Sequence, residues 1–229
     1  MTDREQASLT LQDAPGVHIP PTFYATRGEL QDSAATGLAV RFAGVDFPVI
    51  LRPVGSQAGL DLAKIDGRED IAAYLARVKD EAFFLAPFID YSGKDGLFRK
   101  FRIALVDGQP YACHMGVSSH WMVHYVNAGM YDDAQKRAEE AAFMTGFDEF
   151  ARRHQAALEA IHRRTRLDYL CIDCAEMSDG RLLIFEIDHT MVVHAMDPID
   201  AFPYKQGPLL KLKSAFRAYV SRLAAGSAP

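Results

Sequence analysis

Two apolar runs in the second half of the chain, Leu170-Cys-Ile-Asp173 and Arg181-Leu-Leu-Ile-Phe-Glu186-Ile-Asp188, both end in carboxylates and are separated by the turn-forming stretch Ser178-Asp179-Gly180. Runs of this length around such a turn predict a strand pair. A strand sends successive side chains to opposite faces, so Glu186 and Asp188 emerge on one side. Like charges at that spacing repel and call for a cation. Carboxylate oxygens suit magnesium, which takes one or two of them together with nucleotide phosphates and water. A magnesium–nucleotide site that includes Asp173, Glu186 and Asp188 is therefore one reading. The other is an exposed sheet edge whose solvated acids resist aggregation.

The chain has 229 residues, enough for one large or two small domains. No apolar run approaches the length that spans a bilayer, and the polar start Met1-Thr-Asp-Arg-Glu-Gln lacks a signal-peptide pattern, so the expectation is a cytoplasmic protein without membrane partners. A formal charge of -5 provides no global attraction for nucleic acid. Cys113, Cys171 and Cys174 form an odd set. Cys171-x-x-Cys174 has no second pair to complete a zinc site, and the three read as small buried hydrophobes.

Residues 1–15 show no clear period and predict an arm ordered only in part. Thr26-Arg-Gly-Glu29 has the spacing of a helix capping box and predicts a helix over 27–36. Phe47–Pro53 reads as a buried strand, followed by the loop Val54-Gly55-Ser56-Gln57-Ala58-Gly59 and a partner strand over 60–65. A helix over 67–79 and a strand over 82–89 come next. Residues 98–106 and 109–115 predict a hairpin closed by Asp107-Gly108. Residues 132–164 read as helix divided at Gly146. A final helix over 208–225 turns Leu209, Leu210, Leu212, Phe216 and Val220 inward. This mixture of hairpins and helices indicates α+β architecture with antiparallel sheets.

The order of these pieces resembles the ATP-grasp superfamily. The resemblance runs from about Gly16 to Pro198, through Gly16-Val-His-Ile-Pro-Pro-Thr22, Phe47-Pro-Val-Ile-Leu-Arg52-Pro53 and the late acids Asp173, Glu186 and Asp188. Its middle section is similar to the branch of ribosomal-protein glutamate ligases, which pairs a strand arginine with a later Asn and Gly; Arg102, Asn127 and Gly129 stand here in that order. Gly-Leu-Phe-Arg-Lys and His-Trp-Met-x-His-Tyr-x-Asn-Ala-Gly-Met are also similar to C-terminal stretches of bacterial tetratricopeptide-repeat proteins. The resemblance implies two α+β lobes clasping a nucleotide, a small lobe over 16–89 and a larger lobe over 90–229, with the usual N-terminal lobe largely absent.

The resemblance also implies roles. Arg52 stands where the family generally places a lysine against nucleotide phosphates, and its planar fork of donors suits phosphate oxygens. Gly55, Ser56 and Gly59 stand in the loop that covers the phosphates. The 84–89 connector, with Ala86 and Phe88, would present backbone groups to adenine, although Pro87 removes one donor. Asp90 is a candidate for ribose or phosphate contact. Lys100 and Arg102 share one strand face while Arg99 points away, so only that pair can converge on one anion. Arg102 and Asn127 are the catalytic candidates, Arg102 stabilising transferred charge. His120, His124 and His189 are substrate candidates. The i, i+4 spacing of the first two would face them together on a helix, but no His-Glu-x-x-His pattern is present. Asp173, Glu186 and Asp188 would hold the metal.

The expected function is an ATP- and Mg2+-dependent ligase, with Mn2+ a possible substitute, that joins a small or peptide carboxylate to an amine through an acyl phosphate. The alternatives are a nucleotide-binding module without turnover and a metal-dependent binding protein without nucleotide chemistry. Because only about 15 residues precede the matching region, a homodimer or partner subunit is expected to supply part of the substrate site.

Overall fold

In the computed structural model the chain is described over residues 4–226, and its backbone divides into two units. The smaller comprises residues 4–9 and 20–90, the larger 10–19 and 91–226.

In the smaller unit, β2 (Phe23–Thr26), β5 (Ala82–Pro87), β3 (Val49–Pro53) and β4 (Ala63–Ile65) form a sheet in the order β2-β5-β3-β4, every pair antiparallel. The strand expected over 60–65 is confined to its last three residues. Leu60 N–H bonds to Gln57 and Leu62 N–H to Gly59, which keeps that stretch in turns. Helix α2 (Arg27–Thr36) starts where the capping box places it. Thr26 accepts from Glu29 N–H, and the Glu29 carboxylate returns to Thr26 N–H at 2.9 Å. Together with α4 (Arg68–Arg77), it buries Leu30, Ile71 and Leu75 against Val49, Leu51, Phe83 and Leu85 from one sheet face. Ile50, Arg52, Phe84 and Ala86 alternate to the opposite face and are half-buried.

The larger unit is built on a five-stranded sheet in the order β1-β9-β8-β6-β7: β1 (Val17–His18), β9 (Leu182–Asp188), β8 (Tyr169–Glu176), β6 (Phe98–Val106) and β7 (Gln109–Ser118). All pairs are antiparallel except β1 with β9. The β6–β7 turn has Asp107 and Gly108 both at positive φ, 51° and 74°, which matches the twist of the hairpin. Three helices, α5 (Ala134–Thr145), α6 (Phe147–Arg153) and α7 (Gln155–Thr165), occupy the predicted helical stretch. They cover one sheet face with Phe143, Phe147, Phe150, Leu158 and Ile161, which pack on Phe101, Ile103, Leu105 and Ile172. The last helix, α8 (Gln206–Ala224), lies on the other face, where Leu212 and Tyr219 meet Ala104, Val106, Cys113 and Cys171. All three cysteines are buried and free.

Two expectations need correction. Residues 4–11 form a helix, α1 (Arg4–Leu11), with Ala7, Ser8 and Leu11 buried. Eight residues give only one i, i+4 apolar pair, too short a stretch for its period to register in the sequence. In α8, Leu209 and Leu212 are buried but Leu210 and Val220 are exposed and Phe216 only partly covered. The buried stripe runs through Leu209, Leu212 and Tyr219, and a helix with apolar residues on several sides does not disclose which side is covered. No helix among the described residues is long and apolar enough to cross a membrane.

Candidate functional site

Across the larger sheet the register places His114 opposite Arg102, Arg102 opposite Asp173, and Asp173 opposite Glu186. Directly paired residues present their side chains to the same face, so four strands contribute one polar row. Lys100, two residues before Arg102, and Asp188, two after Glu186, join the row on that face. Both ends of the row coincide with β-bulges. Between Arg102 and Ile103 the partner strand inserts Cys113, and between Asp173 and Cys174 it inserts Phe185. An extra residue re-aims the side chains beside it, and bulges are frequent next to active sites for that reason.

The row divides the face chemically. On one side lie Ala104, Val106, Cys113 and Cys171 beneath α8. On the other lie the charges. Arg102 grips Asp173 with two parallel bonds, Nε to Oδ1 at 2.7 Å and Nη2 to Oδ2 at 3.0 Å, and Lys100 Nζ approaches Oδ2 at 2.9 Å. Although burial opposes the charge of Asp173, whose side chain is only 4% exposed, Lys100 and Arg102 hold its carboxyl well below the usual range. Arg102 Nη1 donates to the Val192 carbonyl at 3.0 Å, so all three guanidinium nitrogens are committed and the group is fixed in orientation. Arg99 faces away, as the strand period predicts, and pairs with Asp95 and Glu139.

Three imidazoles surround this cluster. The His114 ring lies 4.6 Å from that of Tyr125 and 5.6 Å from that of His194. Burial, reinforced by the nearby cations, lowers the pKa of His114, His124 and His194, which keeps the rings neutral. Among the described residues, His114 Nδ1 and His124 Nδ1 are buried polar atoms without a hydrogen-bond partner. His120 does not share a helical face with His124: it is exposed in the bend after β7, where its Nδ1 accepts from Met122 N–H at 3.1 Å. The shared helical face that the i, i+4 spacing would give does not form. His189 is exposed just after β9, with Nδ1 3.5 Å from Asp188. Asn127 is exposed at the end of the helical turn Tyr125–Asn127.

The three predicted metal carboxylates are not equally placed. Asp173 does not stand free to join Glu186 and Asp188, because both its oxygens are taken by Arg102 and Lys100. Among the described residues no group of three or more His, Cys, Asp or Glu side chains is placed to hold a metal ion. Glu186 and Asp188 remain, two hard carboxylates on one strand face, which is the number magnesium usually takes beside phosphates and water. Asp188 Oδ1 accepts from Thr190 N–H and Oγ1–H, both at 2.9 Å.

In the smaller unit, Arg52 lies beside Phe84 across β3–β5, and Ile50 lies between Ala86 and Lys64. Arg52 Nη2 donates to the Ser56 carbonyl and, at 3.1 Å, to Ser56 Oγ, so this cation is folded onto the loop it precedes. Gly55 and Gly59 adopt φ of 83° and 75°, in the left-handed region that favours glycine. Lys64 is a second cation of this face that the sequence did not single out. Its ammonium lies 4.7 Å from the Phe88 ring centroid and 2.6 Å from Asp66. Asp90 is exposed at the end of the unit.

Solved proteins, an ATP-grasp protein among them, share this arrangement of α+β units, and the chain has the ATP-grasp fold. It is similar to the D-alanine–D-alanine ligase from Coxiella burnetii (12% identity, 96% of this chain and 58% of that one, TM-score 0.56). It is also similar to the D-alanine–D-alanine ligase from Bacillus anthracis complexed with ATP (14%, 96% and 66%, TM-score 0.51) and to an ATP-grasp RimK domain protein from Sphaerobacter thermophilus (14%, 96% and 66%, TM-score 0.51). This chain therefore spans 58–66% of the length of these three. No family model and no curated protein matches it.

Proposed function

We propose that this chain is an ATP- and Mg2+-dependent ligase that joins a carboxylate to an amine through an acyl phosphate. The observation that supports it most directly is the row His114–Arg102–Asp173–Glu186 on one sheet face of a protein with the ATP-grasp fold.

Two cations against one carboxylate leave the Lys100–Arg102–Asp173 cluster with a net positive charge. A fixed positive charge at a site of phosphoryl transfer stabilises charge that develops on the transferred group without reorganising as the reaction proceeds. In the first step a substrate carboxylate oxygen attacks the γ-phosphorus, the bond to the bridging oxygen breaks, and ADP leaves. In the second the amine nitrogen attacks the acyl carbon, phosphate leaves with the bonding electrons, and the nitrogen gives up a proton. A neutral imidazole accepts that proton, and His124 and His194 stand beside the cluster for the role. Glu186 and Asp188 would hold magnesium, whose chemistry is to offset charge on phosphate oxygens. Asp173 positions the two cations. In the smaller unit, Arg52, Ser56 and the glycines of the loop supply phosphate-binding donors, and Ala86 and Phe88 the backbone groups for adenine.

The saturation of Asp173 favours a second reading, a nucleotide-binding module without turnover. ADP release measured with panels of carboxylates and amines separates the two. Release that requires both substrates supports the ligase, and saturable ATP binding with no release under any pairing supports the module. Arg102→Ala is expected to lower turnover by about a hundredfold while changing ATP affinity less than about threefold; equal losses would make Arg102 a binding residue.

A further inference from the structure

The larger unit contains a second ionic cluster that the reaction scheme does not use. Lys205 has a side-chain exposure of 1% and Glu140 of 0%. Lys205 Nζ lies 2.9 Å from Glu140 Oε1 and 2.6 Å from Asp197 Oδ2, donates to the Tyr125 hydroxyl, and sits 4.2 Å from the Tyr125 ring centroid. Glu140 accepts three further bonds: from Met115 N–H at 3.1 Å, Tyr125 OH at 3.0 Å and Tyr204 OH at 2.7 Å. Tyr131 OH donates to the other oxygen of Asp197.

Buried ion pairs are an inefficient source of stability, since apolar residues of similar volume often do as well, but breaking one leaves an uncompensated charge. What such a cluster does provide is fixed geometry among the segments that contribute to it. Here those segments are β7, the turn at Tyr125, α5, the helical turn Pro203–Lys205 and the strap of residues 189–197. The strap begins at the Asp188–Thr190 turn and passes over the polar row, where Arg102 holds the Val192 carbonyl. Met191 and Val193 pack on the Cys113–Cys171 cluster, His194 faces His114 and Tyr125, and Asp197 closes on Lys205. Arg102 and Lys205 thus secure the middle and the end of one strap, and His194 lies between them.

The structure assigns Lys205 a positioning role: through Asp197 and Tyr125 it holds the 189–197 strap, and with it His194, over the polar row, so that the acceptor side of the site is formed before the amine arrives. The acceptor part of this assignment rests on the ligase reading; the holding of the strap does not.

Lys205→Met leaves two buried acids facing each other and is apt to unfold the unit, so the informative variant is Asp197→Ala, which releases the strap and leaves the Lys205–Glu140 pair intact. Hydrogen exchange of the full chain without nucleotide is expected to rise by about tenfold in residues 189–197 and to stay unchanged in β6, β8 and α5. Unchanged exchange in the strap, or a rise spread evenly over the unit, would overturn the assignment. In steady-state assays the same variant is expected to raise KM for the amine by about tenfold while ATP affinity stays within about twofold. A parallel loss of ATP affinity would overturn the acceptor role. If the wild type has no turnover with any substrate pair, the ligase reading fails and the exchange result alone decides whether Lys205 holds the strap.

Discussion

Asp173 balances two cations in a setting where its own side chain is 4% exposed and those of Lys100 and Arg102 are 17% and 15% exposed. Asp173→Asn removes the counter-charge and keeps the shape, and it is expected to cost about 3 kcal/mol in urea unfolding; a cost under about 1 kcal/mol would show that water compensates the pair. The folded carboxyl is depressed below its unfolded value of about 3.9. Its contribution is therefore fully present above that value and is lost as pH falls from it toward the folded one. Stability measured between about pH 5 and pH 2 should fall more steeply in the wild type than in Asp173→Asn. Glu186→Gln should leave the fold intact and weaken magnesium-dependent turnover, and turnover retained at low magnesium would remove Glu186 as a ligand. The strand period alone was enough to place Lys100 and Arg102 on one face, where they could converge on one anion. That the anion is Asp173 was hidden, because it depends on the pairing of β6 with β8, 71 residues apart in sequence at the Arg102–Asp173 bond. Long sequence separation likewise conceals the contact of Lys205 with Glu140, neither of which carries a local motif.

Elements whose signals are local were legible. Helix α2 begins at Thr26, and Thr26→Ala is expected to destabilise the smaller unit by about 1 kcal/mol. Glu29 is held at a pKa of about 2 by the Thr26 N–H and by Arg41, so this cap is complete above the ordinary carboxylate range and weakens as pH falls toward 2. The Asp107-Gly108 hairpin is equally local. Gly146 shows where propensity misleads. Intrinsic helix preference would have Gly146→Ala gain about 1 kcal/mol. A Cβ there would stand 2.9 Å from the Ala142 carbonyl oxygen, a backbone atom that cannot move without shifting α5. We expect the substitution to destabilise by about 1 kcal/mol instead, as measured by thermal or urea unfolding. The bulges at Cys113 and Phe185 have no signature in composition, since they arise from the closing of one strand on another. The covered side of α8 is set in the same way by what lies beneath it.

At the scale of the molecule, the order of strands and helices carried the fold because ATP-grasp architecture is a succession of hairpins and helices with short-range signals. The exact ligand set was not carried, because a carboxylate on a strand reads the same whether it meets a metal ion or an arginine. The proposed function requires the polar row to belong to a site for magnesium and a nucleoside triphosphate. Calorimetric titration of MgATP into the full chain tests this most directly. One saturable event per chain is expected, which requires magnesium and is weakened in Glu186→Gln and Arg52→Ala; the absence of saturable heat with magnesium present would contradict the proposed function.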